Sequence, residues 1–216
     1  MMWMSADGTG QPEVLSQSSK TQNPQSFSLD GKRLAFVEIS PATGADIWTM
    51  PVEASASGLR AGKPEVFLQT RFHERGGKFS PDGRWLLYMS NESGDYRVYV
   101  EAYPNKAGKR PVSPDGTGYP AWSFNGKDLF YMQYRAHRLM AISYEGRGSS
   151  FVTGEPRVWS EQIAWFAATK NYDPAPDGKR VVALMPADVP QPRHNRLVFL
   201  LNFFDELRRR LAASAS

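Results

Sequence analysis

The residues to weigh first for chemistry are the three histidines, His73, His137 and His194, because imidazole serves near neutral pH as a general base or a metal ligand. No two of them stand at i, i+4 or in a zinc spacing, so no metal site is expected. The chain has no cysteine, which excludes disulfides, thiolate catalysis, iron–sulfur clusters and Cys-ligated zinc together. No Gly-x-Ser-x-Gly elbow supplies an activated serine, and no Walker loop, Gly-x-Gly-x-x-Gly, His-Arg-Asp or Asp-Phe-Gly supplies phosphoryl-transfer machinery. Gly8-Thr9-Gly10 and Gly116-Thr117-Gly118 resemble phosphate loops only superficially, since neither lies between a strand and a helix. Asp205-Glu206 reads as the acidic first turn of a helix rather than as an acid/base pair. The expectation is therefore a chain with no catalytic residue, no metal and no cofactor, which is not an enzyme.

What remains is recognition, and its carriers must be sought on the elements that hold loops in place. Aromatics make up 12% of the 216 residues, enough to bury a core, while 18 Gly and 16 Pro are a density of turn formers that argues against a helical bundle. The net charge is +4, and most of it comes from Arg193, Arg196, Arg208, Arg209 and Arg210 near the C-terminus, so the body is close to neutral and no nucleic-acid partner is expected. Leu197–Phe204, the longest apolar stretch, is interrupted by Asn202 and is far short of the ~20 residues of a membrane helix, so no membrane insertion is expected. The first eight residues lack the basic patch and apolar run of a signal peptide.

One pattern recurs four times: Phe27-Ser-Leu-Asp-Gly31, Phe79-Ser-Pro-Asp-Gly83, Trp122-Ser-Phe-Asn-Gly126 and Pro174-Ala-Pro-Asp-Gly178, each followed by alternating apolar residues. The glycines are 52, 43 and 52 residues apart, the period of a four-stranded propeller blade. Each pattern reads as a hairpin, with Asp30, Asp82, Asn125 and Asp177 accepting local backbone bonds and Gly31, Gly83, Gly126 and Gly178 taking positive φ. Third strands are expected at Asp46–Val52, Tyr96–Tyr103 and His137–Tyr144, and fourth strands at Glu65–Leu68, Arg110–Val112 and Arg157–Trp159. Asp-Gly turns between alternating strands also occur in sandwiches and barrels, but four recurrences in the same order at near-constant period favour a propeller.

At these residues the chain resembles the TolB-type, WD-like β-propeller repeat family marked by Phe-Ser-Pro-Asp-Gly, with Phe79–Gly83 a full match. Phe79–Gly94, Val98-Tyr99-Val100, Tyr103-Pro104, Leu129-Phe130-Tyr131, Arg138–Ala141 and Asn202–Leu207 look more narrowly like the C-terminal propeller of bacterial transmembrane Ser/Thr protein kinases. The resemblance covers about residues 24–211; Leu29 and Phe124 replace the motif's Pro, and Asp173-Pro-Ala-Pro replaces its aromatic-Ser entry. It implies an all-β propeller acting as the non-catalytic sensor or interaction part of a kinase-type signalling protein, in an extracytoplasmic or periplasmic setting. The non-catalytic propeller of a split hydrolase or lyase, and a TolB-like envelope transport partner, stay open, because such repeats are joined to many activities.

The expected organisation is the outer strands of a truncated preceding blade at 1–20, blades at 21–70, 71–113, 114–165 and 166–204, and a short C-terminal helix at 203–213. About four blades make an incomplete, open ring, whose exposed sheet edges invite self-association. Loops joining one blade's outer strand to the next blade's first strand gather on one face of a propeller, and recognition residues concentrate on such loops. His73, Arg75, Tyr119, Asn171 and Tyr172 are accordingly the expected binding residues, for a protein or a small-molecule ligand at the propeller face.

Overall fold

A computed structural model of the protein describes residues 1–55, 58–148, 150–161 and 170–184, all within one unit, Met1–Met185. The C-terminal helix expected at 203–213 lies outside the described residues, as does much of the blade expected at 166–204. The described residues form strands and turns with no helix. None of them forms a helix long and apolar enough to cross a membrane.

The strands follow the hairpins in order: β1 (Met2–Trp3), β2 (Glu13–Val14), β3 (Thr21–Phe27), β4 (Arg33–Ser40), β5 (Gly44–Ser55), β6 (Gly58–Ala61), β7 (Glu65–Leu68), β8 (Glu74–Phe79), β9 (Trp85–Ser90), β10 (Arg97–Ala102), β11 (Arg110–Pro111), β12 (Thr117–Trp122), β13 (Asp128–Gln133), β14 (Arg138–Arg147), β15 (Ser150–Thr153), β16 (Arg157–Ser160), β17 (Tyr172–Pro174) and β18 (Val181–Ala183). Sheet I runs β3-β4-β5, sheet II β8-β9-β10-β11 and sheet III β12-β13-β14, each an antiparallel meander; β17 pairs with β18, and β1 with β2. The strands expected at Glu65–Leu68 and Arg157–Trp159 are β7 and β16, which close sheets I and III by pairing with β5 and β14.

The four repeat turns are near copies of one another. Gly31, Gly83, Gly126 and Gly178 have φ of 69°, 70°, 69° and 65°, and each donates its N–H to the carbonyl three residues earlier at 2.9–3.0 Å. Asp30, Asp82, Asn125 and Asp177 accept the backbone N–H two residues on through Oδ1, at 2.9–3.1 Å. The Ser28 and Ser80 hydroxyls at Asp30 and Asp82, and these backbone bonds at all three, favour the ionised carboxylate, so Asp30, Asp82 and Asp177 all lie below the ordinary aspartate range.

Period-2 alternation then stacks the sheets. On β9, Leu86 and Tyr88 face sheet I and meet Ala35, Val37, Ile47 and Phe67, while Trp85 and Leu87 face sheet III and meet Trp122, Leu129, Tyr131 and Ile142. All six β9 residues are buried, which only a strand covered on both faces allows. Beyond sheet III, Phe130, Met132 and Leu139 pack on Tyr172, Val181 and Ala183.

Two strands depart from the four-strand expectation. β5 and β14 overrun their sheets and pair with return strands β6 and β15, so sheets I and III carry a fifth strand. The overrun buries apolar surface: Phe151 on β15 is 1% exposed, stacks on Tyr144 at 5.2 Å and meets Trp85 edge-on at 5.0 Å. Nothing in the repeat pattern signals this, because the repeats align only up to the third strand.

Candidate functional site

The site begins with an irregularity shared by the three sheets. The first strands β3, β8 and β12 lie alongside one another. Each of them slips register by one residue against its partner, between Pro24 and Ser26, between Arg75 and Lys78, and between Gly118 and Ala121. The slip falls at the same place in each of these three repeats, around Gln25, Gly77 and Pro120, each six residues before its turn glycine. A bulge bends its strand and re-aims the side chains on either side of it.

These bulges line a cleft of about 900 Å³. Asn23 and Gln25 come from β3, Arg75, Gly76 and Lys78 from β8, and Tyr119 and Pro120 from β12, with Tyr96, Tyr134 and Lys170 completing the polar lining and Val37, Ile39 and Met89 an apolar wall. Tyr119 and Tyr134 meet edge-on at 5.8 Å. Tyr119 adopts φ of 51°, an uncommon conformation for a bulky residue, and its carbonyl accepts the Tyr172 hydroxyl at 2.5 Å. Gly118 leaves the space that Tyr134 fills: a Cβ there would stand 1.8 Å from the Tyr134 hydroxyl.

Lys78 is a partly buried charged residue of this lining. Its ammonium donates to the Gln25 carbonyl, and it forms no ion pair among the described residues. Burial, reinforced by the neighbouring Lys170 charge and opposed by Asp173, brings its pKa down from 10.5 to about 8. Lys170 itself is held by Asp173 at 2.6 Å. Burial also pushes the Tyr134 phenol well above its ordinary value, so it stays protonated.

Of the five residues expected to bind, Arg75 and Tyr119 line the cleft. Tyr172 is buried behind it and props Tyr119. Asn171 is buried too, and its side-chain amide donates to the Leu184 carbonyl at 3.2 Å, tying two chain segments together. His73 is set apart: its backbone N–H donates to Asn91 Oδ1 at 2.8 Å and its ring packs where a Gly44 side chain would otherwise stand. Lys78 is the residue that reading motifs misses. A signal for it existed, since it occupies the repeat position held by the uncharged Ser26 and Ala121 in the repeats on either side. No group of three His, Asp or Glu side chains placed to hold a metal ion occurs among the described residues.

Neither a family model nor a curated protein matches the chain. Among solved structures, TolB from Acinetobacter baumannii is similar over 85% of this chain, at a TM-score of 0.58 and 18% identity. The fold is a TolB-type β-propeller. The chain spans 42% of the length of that protein. A TolB candidate from Agrobacterium tumefaciens (TM-score 0.49, 17% identity, 69% of this chain and 54% of its own) and a periplasmic gluconolactonase from Pseudomonas aeruginosa (0.45, 18%, 70% and 46%) are also similar.

Proposed function

We propose that this chain is a non-catalytic recognition module that takes a protein segment or a small-molecule ligand into the axial cleft, as the sensor or interaction part of a larger kinase-type signalling protein. The observation that carries the reading is the coincidence of three repeat-equivalent bulges on one cleft, with a strained Tyr119 at one of them. Strain at a bulky residue persists only where the surroundings over-determine it, and such positions cluster at binding sites. The kinase link rests on the sequence resemblance alone. The absence of an activated nucleophile or phosphate cradle from the sequence supports the non-catalytic part.

A fragment screen by ligand-observed NMR tests the reading. Fragments that bind the wild-type chain should compete with one another and lose binding in the Asn23→Ala/Arg75→Ala double variant, which alters two exposed side chains of the lining. Hits that survive in the double variant, or a screen with no hits, would overturn it.

A further inference from the structure

The cleft lining carries three cationic side chains, Arg75, Lys78 and Lys170, and no carboxylate. One of the three is already neutralised, because Lys170 is paired with Asp173. The other two have no ion-pair partner among the described residues. Lys78 spends one of its three N–H donors on the Gln25 carbonyl and keeps two, while the Arg75 guanidinium is exposed and offers a planar fork. A partly buried ammonium without a counter-ion is unfavourable, and the arrangement suits a ligand that brings negative charge.

We propose that the axial cleft recognises an oxyanion, a carboxylate or phosphate group, gripped by Lys78 and Arg75, with the rest of the ligand lying against Tyr96, Tyr119 and Tyr134. The inference deepens the recognition reading and rests on it. Arg75 supplies the bidentate geometry suited to carboxylate and phosphate, and Lys78 supplies a point charge in a site of low dielectric, where an ion pair is stronger than on the surface. The apolar wall of Val37, Ile39 and Met89 and the edge-on Tyr119–Tyr134 pair suit a flat or apolar body behind the charged group.

Protonation gives the site a signature. The groups facing Lys78 are Lys170 just before β17 and Asp173 on it, Arg75 on its own strand, and Tyr96, Tyr119 and Tyr134 across the cleft; β3 presents only Asn23 and Gln25. An arriving oxyanion stabilises the charged ammonium and raises its pKa above the free value of about 8. Affinity is therefore greatest below that value and falls as pH rises through it, by up to about tenfold per pH unit.

Benzoate and benzamide test this on the full chain, in a buffer free of phosphate and carboxylate, by calorimetry. They share a ring and differ in charge. Benzoate should bind at least about tenfold more tightly than benzamide, the preference should fade as pH rises above about 8, and Lys78→Met should lose about tenfold in benzoate affinity while Lys127→Met does not. Arg75→Ala, an exposed position, repeats the test should Lys78→Met fail to fold. Phenyl phosphate in place of benzoate decides which oxyanion is preferred. Equal binding of benzoate and benzamide would overturn the oxyanion proposal and leave cleft recognition standing. So would no binding of benzoate or phenyl phosphate alongside fragments that still compete for the cleft.

Discussion

The central strands β4, β9 and β13 and the first strands β3, β8 and β12 come from the same repeats and are built to opposite specifications. Central strands pair without a slip to the third strands, β5, β10 and β14, and bury nearly every residue on both faces. First strands are bulged, rich in Gly, Pro and polar residues, and turn part of their surface to the cleft. The difference teaches where each requirement is met: packing is concentrated on the central strand of each sheet, which leaves the first strand free to carry irregular backbone and a partly buried charge.

The sharpest way to break that division is Leu129→Ala on β13. Leu129 is fully buried between sheets II and III, so deletion should cost about 3 kcal/mol through lost burial and a residual cavity, read as a lower urea midpoint, with the cleft chemistry unchanged in the folded fraction. A loss below about 0.5 kcal/mol would show that the central strands do not carry the stability assigned to them.

Lys78→Met is the counterpart on a first strand, and its sign is reversed. Folded Lys78 titrates at about 8 against 10.5 when exposed, so between those values the unfolded chain holds more protons and stability rises with pH; below about pH 8 the burial penalty is felt in full. The variant should therefore be more stable than wild type at pH 7, by on the order of 2 kcal/mol after the lost Gln25 bond, with the gap closing between about pH 8 and 10.5. Destabilisation at pH 7 would show that Lys78 is a structural cation.

The smallest effect separates the two layers most finely. Tyr172→Phe keeps the ring in its apolar cluster and removes only the hydroxyl that holds the Tyr119 carbonyl, so it should cost about 1 kcal/mol. Fragment or benzoate affinity should fall nonetheless, because Tyr119 loses the support for its left-handed backbone. Unchanged affinity would show that Tyr119 is held by its own neighbours.

The turns were legible in the sequence residue by residue. Ser-Pro-Asp-Gly and its variants specify φ, a local acceptor and a positive-φ site within five residues, with no help from the rest of the chain. The fourth strand β7 was legible for the same reason, as a short apolar run beside a proline. The return strands β6 and β15 were not, since β5 and β14 read as ordinary strands that could have stopped at the sheet edge. Of the expected binding residues, Arg75 and Tyr119 lie on the cleft-lining strands β8 and β12 rather than on connecting loops, and sequence could not distinguish Tyr119, which lines the cleft, from Tyr172, which stands behind it.

By itself the sequence determined the period, the four turn positions and the all-β class, because a hairpin turn depends on interactions among neighbours along the chain. Only the tertiary structure decided that β3, β8 and β12 slip by one residue at equivalent points and that Lys78 is left among them without an ion-pair partner among the described residues. Register is a relation between two strands and desolvation a relation among several, so neither is written in any one segment.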